Sequence, residues 1–194
     1  MPVVENMISG ESYRPGDILR TLSGKTIEVG SPDAEGRIIL ADAIDYAKKF
    51  YQPSLFFELS TLTGAALVAL GNKASALFTS EEKLIPLLLN CGELSGDYLW
   101  PLPLWKEYKE DIKSSFADIW NIGKSRHGGA AHGAMFLWEF AKPTPFIHID
   151  IAPKMTTSAE EFLTKGAAGF GVRVLQEAIE QGRQIAAIVT KRKT

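Results

Sequence analysis

Short apolar segments bounded by turn residues recur along the chain and predict buried strands. They span residues 54–59, 74–79 and 146–151. Nearer the start, Ile18 to Leu22 and Thr26 to Val29 flank Ser23-Gly24, which predicts a hairpin. A further short strand is expected ahead of Pro15-Gly16.

Segments with apolar residues three or four positions apart separate these strands and predict helices. The first runs from about Arg37 to Phe50, and a closing helix is expected from Phe170 to Gln181. Residues 128–140 are apolar nearly all round, which predicts a buried helix. Because strands alternate with helices, we predict an α/β fold with a mostly parallel sheet. Such sheets place ligand sites at the carboxyl ends of their strands.

Composition narrows the class of protein. The chain has 194 residues, 45% of them hydrophobic, which is enough for a compact domain with its own core. A formal net charge of -2 gives no reason to expect nucleic acid as a partner. The one cysteine, Cys91, excludes an internal disulfide and favours a reducing compartment. With no signal-peptide pattern and no apolar run long enough for a bilayer, we expect a cytoplasmic protein without a membrane partner.

Two carboxylates lie close together in a predicted loop before the first helix. Asp33 and Glu35 are two positions apart, Gly36 allows close approach of the backbone, and Arg37 follows. Two hard oxygen donors suit a divalent metal, and a guanidinium can hold an anion with two hydrogen bonds. The alternative is a helix start, with Asp33 as the N-cap and Glu35 as a first-turn acid favoured by the helix dipole. Spacing alone leaves both interpretations open.

Other polar residues give weaker indications of chemistry. His127 and His132 are five positions apart, but a zinc site needs further ligands near them. His148 and Asp150 alternate on a predicted strand and point to the same face, where a structural hydrogen-bonded pair is favoured over catalysis. Cys91 has no partner motif and is expected to be inert.

The stretch from Ser31 to Ile38 resembles the signature octapeptide of leucyl aminopeptidases, in which Asn-Thr precedes Asp-Ala-Glu-Gly-Arg-Leu. Five of its eight positions match. Further segments resemble the family in the same order: Tyr13 to Asp17, Leu40 to Ala43, Thr61 to Ala65, Asn121 to Gly123 and His148 to Ala152. The resemblance covers nearly the whole chain. On the basis of this resemblance, residues 1–194 are identified as the C-terminal portion of a leucyl aminopeptidase catalytic domain.

This resemblance implies a three-layer α/β/α fold, incomplete relative to the family's full catalytic domain. It also implies a metalloaminopeptidase that releases N-terminal amino acids, leucine preferred, by two-metal hydrolysis. Asp33 and Glu35 correspond to ligands of the two divalent ions, Zn or Mn, and Arg37 to a catalytic arginine beside a bicarbonate. The positions that correspond to substrate-binding residues are Thr61, Leu62, Gly64, Ala152 and Met155.

Departures from the family pattern qualify this expectation. The family supplies further ligands, a lysine and two aspartates, and a second lysine near the carbonyl, all upstream of the matched stretch. This chain is therefore expected to carry only part of the site. The implied partners are a peptide substrate and either a homo-oligomer, the family's hexamer, or a complementing upstream chain. The alternatives are an inactive aminopeptidase fragment that acts as an assembly or binding module, and an unrelated α/β binding module.

Overall fold

A computed structural model describes residues 1–155, 165–167 and 169–190. The chain divides into two compact units, which are described in turn. The first comprises Met1–Pro53 and Trp105–Pro143, and the second comprises Ser54–Leu104 and Thr144–Thr194. In the part of the chain described, no helix combines the length and the apolarity needed to cross a bilayer.

Seven strands and seven helices follow one another along the described residues. The strands are β1 (Ile18–Arg20), β2 (Thr26–Glu28), β3 (Phe56–Ser60), β4 (Ser75–Thr79), β5 (Leu99–Pro101), β6 (Ile119–Trp120) and β7 (Phe146–Asp150). The helices are α1 (Glu35–Tyr51), α2 (Gly64–Leu70), α3 (Ile85–Ser95), α4 (Tyr108–Asp111), α5 (Gly129–Ala141), α6 (Val172–Glu180) and α7 (Gly182–Thr190). Short 3-10 turns precede α1 and α3 and follow β7.

The first unit is built on a small sheet in the order β1-β2-β6. β1 and β2 form the predicted antiparallel hairpin, in which Leu19 pairs with Ile27, and β6 adds in parallel to β2. Helix α1 packs against α5, which is almost wholly buried as its composition predicted. Helix α1 ends where Gln52 adopts a left-handed backbone with φ 47°.

The second unit contains a four-stranded sheet in the order β3-β7-β4-β5. Two of its pairings, β3 with β7 and β4 with β5, are parallel, and the central pairing of β4 with β7 is antiparallel. The apolar core includes Leu77, Ile147 and Ile149 from the sheet, together with residues of α3, α6 and α7. The predicted α/β class with a parallel-rich sheet is thus confirmed.

Strands β5 and β6 and helices α4 and α7 were not predicted, and one predicted element is absent from the described residues. Strand β6 has only two residues, and β5 carries a proline and the exposed Trp100, so neither gives a strand pattern in the sequence. Helix α7 continues the chain beyond the predicted closing helix. The strand expected within residues 1–17 does not form: that stretch has no strand and is mostly exposed.

Candidate functional site

The two carboxylates of the first unit lie at the junction between a 3-10 turn and α1. Asp33 is the middle residue of the turn Pro32–Ala34 and is exposed. Glu35 is the first residue of α1, is half-buried, and accepts a hydrogen bond from Asn6 Nδ2 at 3.4 Å. We call residues 30–35 the carboxylate loop.

The alternative role of Asp33 as a helix N-cap is wrong. The residue that precedes α1 is Ala34, and the 3-10 turn begins after Ser31; neither makes a side-chain capping hydrogen bond. Glu35 does lie in the first turn of α1, where the helix dipole favours a negative charge. The Asp33 carboxylate is therefore not used to cap the helix, and its position leaves it available to a ligand.

Asn121, directly after β6, holds the carboxylate loop in place. Its side-chain oxygen accepts hydrogen bonds from the backbone N–H of Gly30 at 2.7 Å and of Ser31 at 3.2 Å. Its side-chain nitrogen donates to the carbonyl oxygens of Ser31 at 2.7 Å and Ala34 at 3.4 Å. A buried amide is stable only when its donors and acceptors are satisfied, and Asn121 is fully buried.

The same residue also fixes Arg37. This side chain is only 8% exposed although it carries a charge, and its Nη1 donates to the backbone oxygen of Asn121 at 2.8 Å. Close packing at the start of the loop requires a glycine, because a Cβ on Gly30 would lie 2.6 Å from Ile122 Cγ1. Asp33, Glu35 and Arg37 are thus carried by one segment that is anchored to the end of β6.

The predicted substrate-binding residues lie in the second unit, in two turns that follow β3 and β7. Thr61 and Leu62 connect β3 to α2, and Gly64 is the first residue of α2. Ala152 begins the 3-10 turn after β7 and is 5% exposed, whereas Met155, at its end, is 55% exposed. Both turns lie at carboxyl ends of parallel strands, where ligand sites of such sheets are found.

A single buried carboxylate joins these two turns. Asp150 accepts hydrogen bonds at Oδ1 from the N–H groups of Leu62 and Ala152, each at 3.1 Å. Its Oδ2 accepts from the Thr63 hydroxyl at 2.7 Å, and that hydroxyl in turn caps α2 by accepting from Ala66 N at 3.2 Å. Asp150 has no exposed surface. Asp150 therefore ties the two turns to each other.

The histidines take structural partners. His148 pairs with Glu58 on the neighbouring strand, so the predicted pairing of His148 with Asp150 is wrong: cross-strand neighbours meet directly, whereas residues two apart on one strand do not. His132 lies 3.1 Å from a carboxylate oxygen of Asp111, and His127 contacts Ser125.

The charge of Glu35 affects the pKa of a neighbouring phenol, that of Tyr13. Burial raises the pKa of Tyr13 above its ordinary value, and the negative charge of Glu35 raises it further. The phenol of Tyr13 therefore stays neutral near neutral pH. A divalent cation held by Glu35 would reverse the sign of that local charge.

The donor chemistry of the carboxylate loop suits a divalent cation, but two carboxylates do not complete a metal site. Asp33 and Glu35 both offer oxygen ligands, which Mn and Zn accept. Within residues 1–155, 165–167 and 169–190, however, no group of three or more His, Cys, Asp or Glu side chains is placed to hold a metal. Asp33 and Glu35 would therefore supply part of a coordination shell.

Asn121 was missed as a functional candidate, and Asp150 was considered only as a member of a structural pair with His148. Both appear in the sequence only within short matched segments, and nothing in their local pattern shows what they bind. Their partners lie far away along the chain: Gly30 is 91 positions from Asn121, and Leu62 is 88 positions from Asp150. Such contacts become visible only once the strands are paired.

Comparisons with known proteins agree with the sequence resemblance. The family model described as "Cytosol aminopeptidase family, catalytic domain" matches residues 1–176. A protein named "Probable cytosol aminopeptidase" from Nitratidesulfovibrio vulgaris is 45% identical over 184 residues, covering 94% of this chain and 36% of the relative. A protein of the same name from Geobacter sp. (strain M21) is 46% identical over 182 residues, which covers 93% of this chain and 37% of the relative. A third, from Roseiflexus castenholzii, is 47% identical with the same coverage. The chain spans little more than a third of the length of these curated relatives.

Proposed function

Because this chain belongs to the cytosol aminopeptidase family, we propose that it forms part of a metalloaminopeptidase that releases N-terminal residues, leucine preferred, from peptides. The observation that carries the proposal is the carboxylate loop with the start of α1, where Asp33, Glu35 and Arg37 are presented on a segment anchored by Asn121. Residues 1–194 would then be the C-terminal portion of the family's catalytic domain.

In this proposal Asp33 and Glu35 hold two divalent ions, Zn or Mn, together with ligands from elsewhere. Bound metals of this kind lower the pKa of a water molecule and polarise a carbonyl group. The exposed position of Asp33 and the half-buried position of Glu35 leave both carboxylates within reach of a ligand from solvent. Their oxygens are hard donors, which agrees with the choice of ions.

Arg37 has the role of anion holder. A guanidinium presents planar N–H donors that can bind a bicarbonate bidentately. Its hydrogen bond to Asn121 fixes where the guanidinium lies, and burial strengthens its interaction with an anion. Arg37 would hold the bicarbonate, and the anion would supply general-base chemistry at this position.

The second unit supplies the residues that bind the peptide. The backbone groups of Thr61, Leu62 and Gly64 would bind the peptide main chain, because this turn is held rigidly by Asp150. Ala152 and the exposed Met155 would form an apolar wall for the side chain that is released. A methionine wall adapts to branched aliphatic groups, which agrees with a preference for leucine.

The remaining ligands are proposed to come from a second polypeptide segment. A structural or catalytic zinc ion has at least three protein ligands, and Asp33 and Glu35 are two. We propose either a homo-oligomer, such as a hexamer, or a complementing chain as their source, and a cytoplasmic location in agreement with the relatives' names. An assembly or binding module without activity is the second candidate, favoured by the lack of a complete ligand group in the described part of the chain.

The test is hydrolysis of a leucine chromogenic amide in the presence of Mn²⁺ or Zn²⁺. The wild-type protein is compared with Glu35→Gln, Arg37→Ala and a matched control, Glu93→Gln, whose carboxylate is exposed on α3. We expect metal-dependent activity that Glu93→Gln retains, that Glu35→Gln abolishes, and that Arg37→Ala lowers by on the order of 100-fold. Full activity in Glu35→Gln would overturn the ligand assignment. No hydrolysis by any of the proteins with either metal would mean that this chain needs a complementing chain or is the inactive binding module.

A further inference from the structure

The four side-chain hydrogen bonds of Asn121 all go to the carboxylate loop. It follows β6, and its own N–H donates to Glu28 O at 3.0 Å, which extends the pairing of β2 with β6 by one residue. That backbone bond ties Asn121 to the sheet. Its side chain is therefore free of any role in the sheet and is directed wholly at the loop.

The side-chain contacts of Asn121 bracket Asp33 from both sides. Gly30 and Ser31 precede Asp33, and Ala34 follows it; all three bind the Asn121 amide through backbone atoms. Because the recognised atoms belong to the backbone, the contacts define the path of the chain and do not depend on the loop side chains. The position of Asp33 is thereby fixed although its own carboxylate is exposed.

The loop gains its shape from outside because its own sequence supports it weakly. Pro32 has no N–H to donate, and the 3-10 turn is closed by a hydrogen bond from Ala34 N to Ser31 O at 3.2 Å. Single 3-10 turns have poorer hydrogen-bond geometry than α-helices. The Ser31 carbonyl accepts a shorter bond, 2.7 Å, from Asn121.

We infer that Asn121 is a positioning residue that sets the geometry of Asp33 and Glu35 for a bound divalent cation and holds the Arg37 guanidinium in place on the same segment. The inference rests on the proposed function. Its side chain fixes the backbone around Asp33, its carbonyl fixes the Arg37 guanidinium, and Glu35 follows Ala34 directly. Partners that orient metal ligands in this way commonly change metal affinity by 10- to 100-fold when removed.

The test combines two measurements on the wild-type protein and on four variants, of which Glu35→Gln shows whether Mn²⁺ binding depends on that carboxylate. Mn²⁺ affinity is measured from the electron paramagnetic resonance of free Mn²⁺, and backbone exchange over residues 30–35 by hydrogen–deuterium mass spectrometry. Asn121→Ala removes all four side-chain hydrogen bonds. Asn121→Asp keeps the acceptor oxygen for Gly30 and Ser31 but loses the donor to Ser31 and Ala34. Ile119→Ala, a buried neighbour on β6, controls for general loss of stability.

The expected result is a graded loss of Mn²⁺ affinity across the Asn121 variants. Asn121→Ala should weaken Mn²⁺ binding by about 10- to 100-fold and accelerate exchange in the carboxylate loop, with Asn121→Asp in between. Ile119→Ala should bind Mn²⁺ with nearly wild-type affinity even if its unfolding midpoint falls. If Asn121→Ala fails to fold, Asn121→Asp against Ile119→Ala decides the question.

Two other outcomes are distinguishable. Wild-type affinity and unchanged loop exchange in both Asn121 variants would overturn the inference. If the wild-type protein shows no Mn²⁺ binding that depends on Glu35, the proposed metal role fails. The exchange measurement then stands alone: faster exchange confined to the carboxylate loop supports positioning by Asn121, and unchanged exchange overturns it.

Discussion

Replacing Asp150 by alanine removes the carboxylate that joins the Thr61–Gly64 turn to the turn after β7. Three donors lose their acceptor: the N–H groups of Leu62 and Ala152 and the hydroxyl of Thr63. Thr63 and Ala152 are buried, so water cannot readily replace the lost bonds, whereas Leu62 is half-buried and can be partly rehydrated. The substitution therefore leaves at least two buried donors without an acceptor.

The expected loss of stability follows from the free-energy cost of each buried donor without an acceptor. A buried donor without a partner costs about 1–3 kcal/mol, so Asp150→Ala should destabilise the second unit by roughly 3–5 kcal/mol. Asp150→Asn has the same shape and keeps one acceptor oxygen for the two N–H groups. It exchanges charge-assisted hydrogen bonds for neutral ones of about half the strength, but an amide is also easier to bury. We expect a loss of roughly 1–2 kcal/mol.

Urea unfolding of both variants measures these free energies, and Thr63→Val serves as the matched single deletion. Losing the hydroxyl should cost roughly 1–2 kcal/mol, since it also caps α2. Hydrogen exchange should show faster exchange of the Leu62 and Ala152 amides in Asp150→Ala. A loss below about 1 kcal/mol in Asp150→Ala, or an equal loss in Asp150→Asn, would refute the reasoning.

Two further predictions concern the first unit. Lys48→Met should lower the free energy of unfolding by about 1–3 kcal/mol, because Lys48 Nζ donates to two carbonyls at the end of α5, Phe140 O at 2.7 Å and Lys142 O at 2.8 Å. The control is Lys73→Met, at an exposed lysine. Equal urea midpoints for the two variants would contradict a stabilising role of Lys48. The Asp118 carboxylate accepts hydrogen bonds from the backbone N–H and from the hydroxyl of Thr26. These bonds, the backbone one foremost, lower the pKa of Asp118 below its ordinary value of 3.8. Its stabilising contribution is therefore present above 3.8 and lost as pH falls through the lowered value. Asp118→Asn should be less stable than wild type at neutral pH and should converge with it in strong acid; a constant difference in urea unfolding across this range would refute the assignment.

The local elements were predictable where a pattern repeats within one segment. The hairpin around Ser23-Gly24, helix α1 and the buried helix α5 all follow from residues close together in the chain. Strands β5 and β6 did not follow, because two or three residues cannot display a period and their pairing partners lie elsewhere. The antiparallel pairing of β4 with β7 likewise depends on chain topology and not on composition.

The candidate site divides in the same way. Asp33, Glu35 and Arg37 stand out in the sequence because they cluster within five positions. Asn121 and Asp150 do not, because Asn121 binds a backbone group 91 positions away and Asp150 binds one 88 positions away. The sequence also left open whether Asp33 caps a helix, and the positions of Ser31 and Ala34 at the helix start decide against it.

The most direct test of the proposed function is the fate of an unmodified peptide. The protein, supplied with Mn²⁺, is incubated with a peptide that begins with leucine and with the same peptide acetylated at its N-terminus, and the products are followed by mass spectrometry. The account predicts stepwise loss of residues from the free N-terminus, no cleavage of the acetylated peptide, and no cleavage of either by Glu35→Gln. Cleavage of the acetylated peptide, or cleavage that survives Glu35→Gln, would contradict it.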